Sequence, residues 1–241
     1  RIFNQHGLVA GITLKEKNYA VFAKNFAALQ QSFAAETYAP EAYVWDEQGR
    51  NEGMLSSSQV QYVGKGANFR KLGHEFTGSM RVLETVLRYD YFWAHIRVQG
   101  GAYGAMTQFN RNGNMLFASY RDPNLTETLD VFDGTADYLR SFSASEREMD
   151  KYIIGTISSL DMPLTPQMKG TVAVNCWLRG ISQEDEQRLR DEILATRQPQ
   201  IQDLADTIAD CMQQNILCAF GNEVKLQENE QLFEKLIKIM D

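Results

Sequence analysis

Apolar residues recur at helical spacing over most of the chain. Over residues 15–34 they fall every three or four positions and form one stripe, which predicts an amphipathic helix. The same spacing predicts further helices over 76–97, 125–142, 145–160, 167–178, 182–196, 199–214 and 225–239. Gly100 and Gly101 follow the helix over 76–97 and are typical of a helix end. Ser145 and Glu148 have the spacing of a capping box, which begins a helix.

Shorter β-rich stretches lie between these helices. They predict strands over 7–14, 54–64, 103–110, 114–120 and 216–220. Asn112-Gly113 stands between two of these strands and predicts a hairpin. Because β-α alternation is irregular, the order favours the α+β class, with a mainly antiparallel sheet and helices packed on one face. No composition shift or long Gly/Ser linker divides the chain, so we expect a single domain over 1–241.

Composition narrows the classes of partner. The 241 residues carry a net charge of −7 and no run of Lys or Arg, so we expect no nucleic-acid partner. No stretch approaches 18 uninterrupted apolar residues, so we expect no membrane association. The three cysteines form no CxxC pair, which is typical of reduced thiols in a reducing compartment.

The histidines do not have the spacing of a metal site. His6, His74 and His95 are the three in the chain, and no two lie within five residues of each other. His74 is followed by Glu, as in a zinc-binding HExxH motif, but Gly78 stands where the second His is needed. The sequence therefore predicts no metal site within this chain.

Common phosphate and nucleophile motifs also fail. Gly64-Lys65 resembles part of a Walker A loop, but Gln59 stands where the pattern needs Gly, and Gly66 where it needs Ser or Thr. A GxSxG nucleophile elbow is absent.

The stretch RVQGGAYGA, from Arg97 to Ala105, is the strongest candidate for chemistry. Gly100 and Gly101 permit a sharp turn with positive φ and close backbone approach, which brings Arg97 and Tyr103 to one end of the domain. A guanidinium and a phenol at one spot can hold a carbonyl or carboxylate. The residues alone leave a second interpretation open, in which the Arg caps helix carbonyls and the Tyr lies in the core.

Several long segments together resemble one known family. They are RVQGGAYGA, FNRNGNMLFASYRDPNL, KYIIGTISSLDMPLTPQMKG, VQYVGKGAN and RGISQEDEQRLRDEILATR. Together they extend the resemblance, in order, over essentially the whole chain, and they resemble the C-terminal quarter of the presequence-protease branch of the pitrilysin/insulinase zinc metallopeptidases.

This resemblance implies a fold and a place in a longer protein. The fold is the two-layer fold of the mitochondrial processing peptidase and LuxS-like metallohydrolases. Four such domains form two halves that close like a clamshell around unfolded peptides, and this chain corresponds to the fourth. The zinc ligands and the catalytic Glu belong to an inverted HxxEH motif in the first domain, and this chain lacks that motif.

The resemblance also implies roles for single residues. Arg97 and Tyr103 are expected to be catalytic and Gly100 and Gly101 to bind substrate. A zinc-bound water attacks the scissile carbonyl, Tyr103 donates a hydrogen bond to its oxygen, and Arg97 holds the peptide nearby. Zinc is then the cofactor of the full-length enzyme, and the isolated fragment is expected to bind none and to be inactive.

The expected partners are unfolded peptide substrates and the N-terminal half of the same polypeptide. The alternative is a non-catalytic scaffold or interaction domain of the same fold, but the presence of both Arg97 and Tyr103 favours the enzyme. Reduced cysteines fit a bacterial cytoplasm, which we favour, and also an organelle matrix.

Overall fold

The computed structural model describes residues 3–37, 41–44 and 51–239. Its contacts divide the chain into two units. The small unit is drawn from residues 1–47 and 162–186, and the sheet unit from residues 48–161 and 187–241. The assignment of 1–241 as a single domain, the fourth of a longer peptidase, stays a prediction.

Helices make up most of the regular structure. Their bounds are α1 Tyr19–Gln31, α2 Gly78–Val86, α3 Thr126–Asp133, α4 Thr135–Arg140, α5 Glu146–Leu160, α6 Pro166–Arg179, α7 Gln183–Ala195, α8 Gln198–Gln213 and α9 Glu223–Glu228. The helices predicted from apolar spacing are therefore confirmed up to α8, with the one over 125–142 divided at Gly134. The Ser145–Glu148 capping box at the start of α5 is confirmed as well.

The small unit contains α1 and α6 and has no strand in its described part. The strand predicted over 7–14 is wrong, because residues 8–15 are irregular. The apolar side chains of this segment instead share a cavity with Val174 and Trp177 of α6. A Cβ at Gly11 would collide with Val174, so this glycine permits the close approach.

The sheet unit is built on six strands. They are β1 Glu52–Ser56, β2 Gln61–Asn68, β3 Gly104–Phe109, β4 Asn114–Asp122, β5 Leu217–Asn222 and β6 Lys235–Lys238, in the order β3-β4-β2-β5-β1-β6. The β3–β4, β4–β2 and β2–β5 pairs are antiparallel, whereas β1 is parallel to both β5 and β6. The α+β class is thus confirmed, and the sheet is mixed rather than purely antiparallel.

Two strand predictions need correction. The strand predicted over 54–64 is two strands, β1 and β2. The helix predicted over 225–239 ends early at Glu228, and β6 follows as a strand. Leu236 of β6 packs where Gly53 of β1 has no side chain, and this long-range pairing overrides the helical spacing of the apolar residues.

The helix predicted over 76–97 forms and carries the core of the sheet unit. After α2 it continues as π-helical turns over Leu87–Tyr91 and Trp93–Gln99. Phe92, between these turns, packs at ring-centroid distances of 5.0 Å from Phe117 and 5.5 Å from Phe132. These three completely buried rings join the helix to β4 and α3.

An ion pair between a buried lysine and a half-exposed aspartate joins β2 to α3. Lys65 of β2 is 4% exposed, and its ammonium donates to both carboxylate oxygens of Asp133 at 2.6 and 2.9 Å. Because an unpaired charge is costly away from water, this lysine depends on its partner for burial.

Gly66 of β2 provides a test of the β2–β4 packing. A Cβ at this position would overlap the carbonyl oxygen of Met115, whereas the nearest atom to a Cβ at Gly64, on the same face, is 3.6 Å away. We expect Gly66→Ala to lower the free energy of unfolding by about 1–3 kcal/mol and Gly64→Ala to have a much smaller effect. Urea unfolding of both variants measures the difference, and equal midpoints would contradict this packing.

Candidate active site

The RVQGGAYGA segment forms a sharp turn between the helix and β3. The second π-helical turn ends at Gln99, and Gly101 adopts a left-handed φ of +78°. The Gly101 N–H donates to the Arg97 carbonyl and the Ala102 N–H to the Ile96 carbonyl, both at 3.1 Å. A Cβ at Gly100 would lie 2.6 Å from the Ile96 carbonyl oxygen, so the turn needs glycine at both positions.

Arg97 and Tyr103 lie on either side of this turn and share one surface. Both side chains are exposed, Tyr103 by 66%. The Arg97 guanidinium carbon lies 6.0 Å from the Tyr103 ring centroid and 4.2 Å from that of Trp93, over which it stacks. The alternative interpretation, in which Tyr103 is a core residue, is therefore wrong.

A row of aromatic rings supports Tyr103 across the sheet. Its ring meets that of Tyr120 edge-on at 5.7 Å, and Tyr120 meets Tyr62 in the same way at 5.3 Å. Phe220 continues the row at 5.6 Å from Tyr62. Edge-to-face pairs at such distances are favourable, so the row fixes the direction of the phenol. Sequence reasoning did not find this row, because its members come from four different strands or their ends.

Hydrogen bonds from the start of α3 hold the glycine turn. The Asn124 side-chain amide donates to the Gly100 carbonyl at 2.6 Å. Asp122 is completely buried and accepts from the Asn124 N–H at 2.9 Å and from the Thr128 hydroxyl at 2.6 Å. Asp122 therefore orients Asn124, the residue that holds the turn.

A second polar cluster lies on the helix that carries Arg97. Asp90 accepts from the hydroxyls of Tyr138 and Tyr152 at 3.1 and 3.4 Å. Burial, followed by the nearby Asp90 carboxylate, raises the pKa of Tyr152 to about 12 and raises that of Tyr138 further. Both phenols therefore stay protonated at neutral pH, and the geometry indicates a packing role.

The histidines occupy separate places and do not fit a zinc site. His74 lies between Asp210, at 2.8 Å from Nε2, and the Thr207 hydroxyl, at 3.1 Å from Nδ1. His95 Nδ1 lies 3.0 Å from the Gln99 side-chain oxygen. No group of three or more His, Cys, Asp or Glu side chains in the described part of the chain is arranged to hold a metal ion.

Among the described residues, none of the helices has the length and apolar character needed to cross a bilayer.

Comparison with known proteins places this geometry in a family. The family model described as PreP C-terminal domain matches residues 51–219, more than half of the chain. The protein HypA of Clostridium perfringens is 38% identical over 239 residues, which cover 99% of this chain and 25% of that protein. Presequence protease 1, chloroplastic/mitochondrial, of Arabidopsis thaliana is 40% identical over 160 residues, covering 66% of this chain and 15% of that protein.

Solved structures agree on the fold. The crystal structure of pitrilysin superposes with a TM-score of 0.60 at 14% identity, covering 86% of this chain and 23% of that one. This likeness shows a shared fold.

The chain spans about a quarter or less of the two curated relatives described above. Its match to the family model extends from β1 into β5 and includes the helix, the glycine turn and the hairpin that carry Arg97 and Tyr103. The chain therefore belongs to the PreP C-terminal domain family, whose relatives include presequence proteases.

Proposed function

We propose that this chain is the fourth, C-terminal domain of a zinc-dependent endopeptidase that degrades unfolded peptides, and that Arg97 and Tyr103 act on the substrate. The observation that carries the proposal is that these two side chains are exposed side by side at one turn. The Asn124 side chain holds that turn through its hydrogen bond to the Gly100 carbonyl. A catalytic pair must face solvent when no substrate is bound, and a packing pair need not.

The chemistry assigned to each residue follows from the charge that develops during peptide hydrolysis. Attack on the scissile carbonyl moves negative charge onto its oxygen. The Tyr103 hydroxyl donates a hydrogen bond to that oxygen, and the Arg97 guanidinium binds the neighbouring peptide carbonyls and adds positive potential. Stacking on Trp93 restricts the guanidinium before substrate arrives, so less conformational entropy is lost on binding.

In the proposed enzyme, the zinc site and the general base belong to the N-terminal half of the polypeptide. The described residues do not fit a zinc site, so the metal and the base that activates water lie outside this chain in the proposed enzyme. Gly100 and Gly101 let the substrate backbone approach the turn closely. Because reacting groups are divided between halves, the halves must close before reaction, and closure also excludes folded proteins. The bacterial cytoplasm remains the predicted compartment.

Removal of the Tyr103 hydroxyl tests the proposal. In the full-length enzyme, Tyr103→Phe is expected to lower kcat by about one to three decades, since a single oxyanion donor contributes roughly that much. The matched control is Tyr120→Phe, which keeps the neighbouring ring and removes its hydroxyl. Steady-state peptide hydrolysis and thermal unfolding are measured for both variants. An unchanged kcat in folded Tyr103→Phe would remove this residue from the mechanism.

Asn124 is expected to act as a positioning residue. Asn124→Ala removes the donor to the Gly100 carbonyl, so we expect kcat to fall by about tenfold with a smaller change in KM. If Asn124 acts through the turn, the double variant Asn124→Ala/Tyr103→Phe is no slower than Tyr103→Phe alone. Fully additive losses would show that Asn124 acts elsewhere.

Metal analysis tests whether zinc is bound by residues outside this chain. We expect the full-length protein to contain stoichiometric zinc, to lose activity when a chelator removes it, and to keep its zinc when His6, His74 or His95 is replaced by Asn. Elemental analysis of each purified variant measures the metal. Loss of zinc in a folded histidine variant would place ligands in this chain, and zinc-free, inactive full-length protein would favour the scaffold alternative.

A further inference from the structure

A groove follows the outer edge of β3, beside the Arg97–Tyr103 surface. β3 is the last strand of the sheet and pairs with β4 alone among the described strands. Two adjoining cavities of about 300 and 200 Å³ lie along this edge and share Arg88 and Tyr89 in their walls. Thr107 lines the larger cavity and Ala105 the smaller.

The backbone of β3 offers hydrogen-bonding groups to this groove. The Asn110 N–H donates to Asn114 across the hairpin, whereas the Phe109 N–H donates in the other direction, to the Glu84 carboxylate at 2.7 Å. Because backbone groups alternate along a strand, those of Thr107 and Ala105 point the same way as that of Phe109, away from β4. The outer edge of β3 therefore presents backbone N–H and C=O groups of Ala105 and Thr107 to the two cavities.

Two buried polar side-chain atoms in the larger cavity have no partner in the described part of the chain. They are the Thr107 hydroxyl oxygen and the Arg81 Nε. Buried polar groups are normally hydrogen-bonded, and leaving one unsatisfied is costly. Both atoms are shielded from solvent, so a ligand in the cavity reaches them only if the cavity wall moves, and binding is supported instead by the β3 backbone and the arginines.

The smaller cavity has a cationic wall. Arg88 and Arg97 both line it, with the rings of Tyr89 and Trp93 beside them. Neither guanidinium forms an ion pair within residues 3–37, 41–44 and 51–239.

Glu84 is the carboxylate on this edge, and it is already engaged. It accepts from Arg81 at 3.0 and 3.1 Å and from the Phe109 N–H. Burial raises the pKa of Glu84, while Arg81 and, at longer range, Arg88 act to lower it. Glu84 is therefore held by Arg81 and the Phe109 N–H, and although its charge also acts on Arg88, neither Arg88 nor Arg97 forms an ion pair among the described residues.

We propose that this groove binds an extended stretch of the peptide substrate as an added strand on β3 and that Arg88, with Arg97, receives a carboxylate of that peptide. An extended peptide can hydrogen-bond to the backbone of Ala105 and Thr107, which is the usual way an open sheet edge binds a segment. The carboxylate comes either from an acidic side chain or from the peptide C-terminus. This inference rests on the proposed function, since it assumes that Arg97 and Tyr103 face the substrate.

Paired peptide substrates test the carboxylate site in the full-length enzyme. One series carries a single Glu or Gln at successive positions with an amidated C-terminus, and a second compares the free acid with the amide. At one position or at the C-terminus, we expect the acid to be hydrolysed with about tenfold higher kcat/KM, because a charge-assisted hydrogen bond to arginine is lost in the neutral partner. The series in which the preference appears identifies the source of the carboxylate.

Arg88→Gln is expected to bring this acid-to-neutral ratio close to one, and Arg88→Lys to retain part of it. The matched control is Arg147→Gln, an exposed arginine of α5 outside both cavities, which should keep the full ratio. A wild-type ratio near one in both series, or a ratio that survives in Arg88→Gln, would overturn the carboxylate site. Neither outcome depends on Tyr103→Phe, which lowers kcat for both members of a pair and so tests the proposed function separately.

The strand pairing has its own test. Ala105→Pro removes an N–H that points away from β4, a position where a strand edge tolerates proline. We expect KM to rise several-fold for acidic and neutral peptides alike, while Ala105→Ser keeps the N–H and the wild-type KM. Equal KM values for the two folded variants would refute strand addition at β3.

Discussion

The hydrogen bond from the Asn124 side chain to the Gly100 carbonyl is the constraint on which the candidate site depends. Two glycines at the end of a helix make a sharp turn possible, but glycine also has access to many other backbone conformations. Asn124, itself oriented by the buried Asp122, selects one conformation of that turn. Because the turn is held in this conformation, Arg97 at the end of the helix and Tyr103 just before β3 lie on the same surface.

Much of this arrangement is local in the sequence and was therefore predictable. The helix over 76–97, its end at Gly100-Gly101 and the Asn112-Gly113 hairpin depend on residues close together in the chain, and all three are confirmed. The nearness of Arg97 and Tyr103 follows from the same short stretch. Their catalytic roles come from the family resemblance and remain predictions.

The parts that sequence reasoning missed depend on distant partners. The segment over 7–14 is apolar enough for a strand but packs along α6, and the end of the chain has helical spacing yet pairs with β1 as β6. The row of rings from Tyr103 to Phe220 arises because strands far apart in sequence lie side by side in the sheet. Periodicity reports which face of an element is apolar, but it carries no information on which element will cover that face.

The ion pair between Lys65 and Asp133 has a consequence for how relatives of this chain can diverge. The two positions lie 68 residues apart in sequence, yet replacing Asp133, which is 47% exposed, leaves the buried Lys65 without its counterion. Loss of the carboxylate at position 133 is therefore best tolerated when position 65 also loses its charge. Across an alignment of homologues, the two columns should covary and so record the contact between β2 and α3.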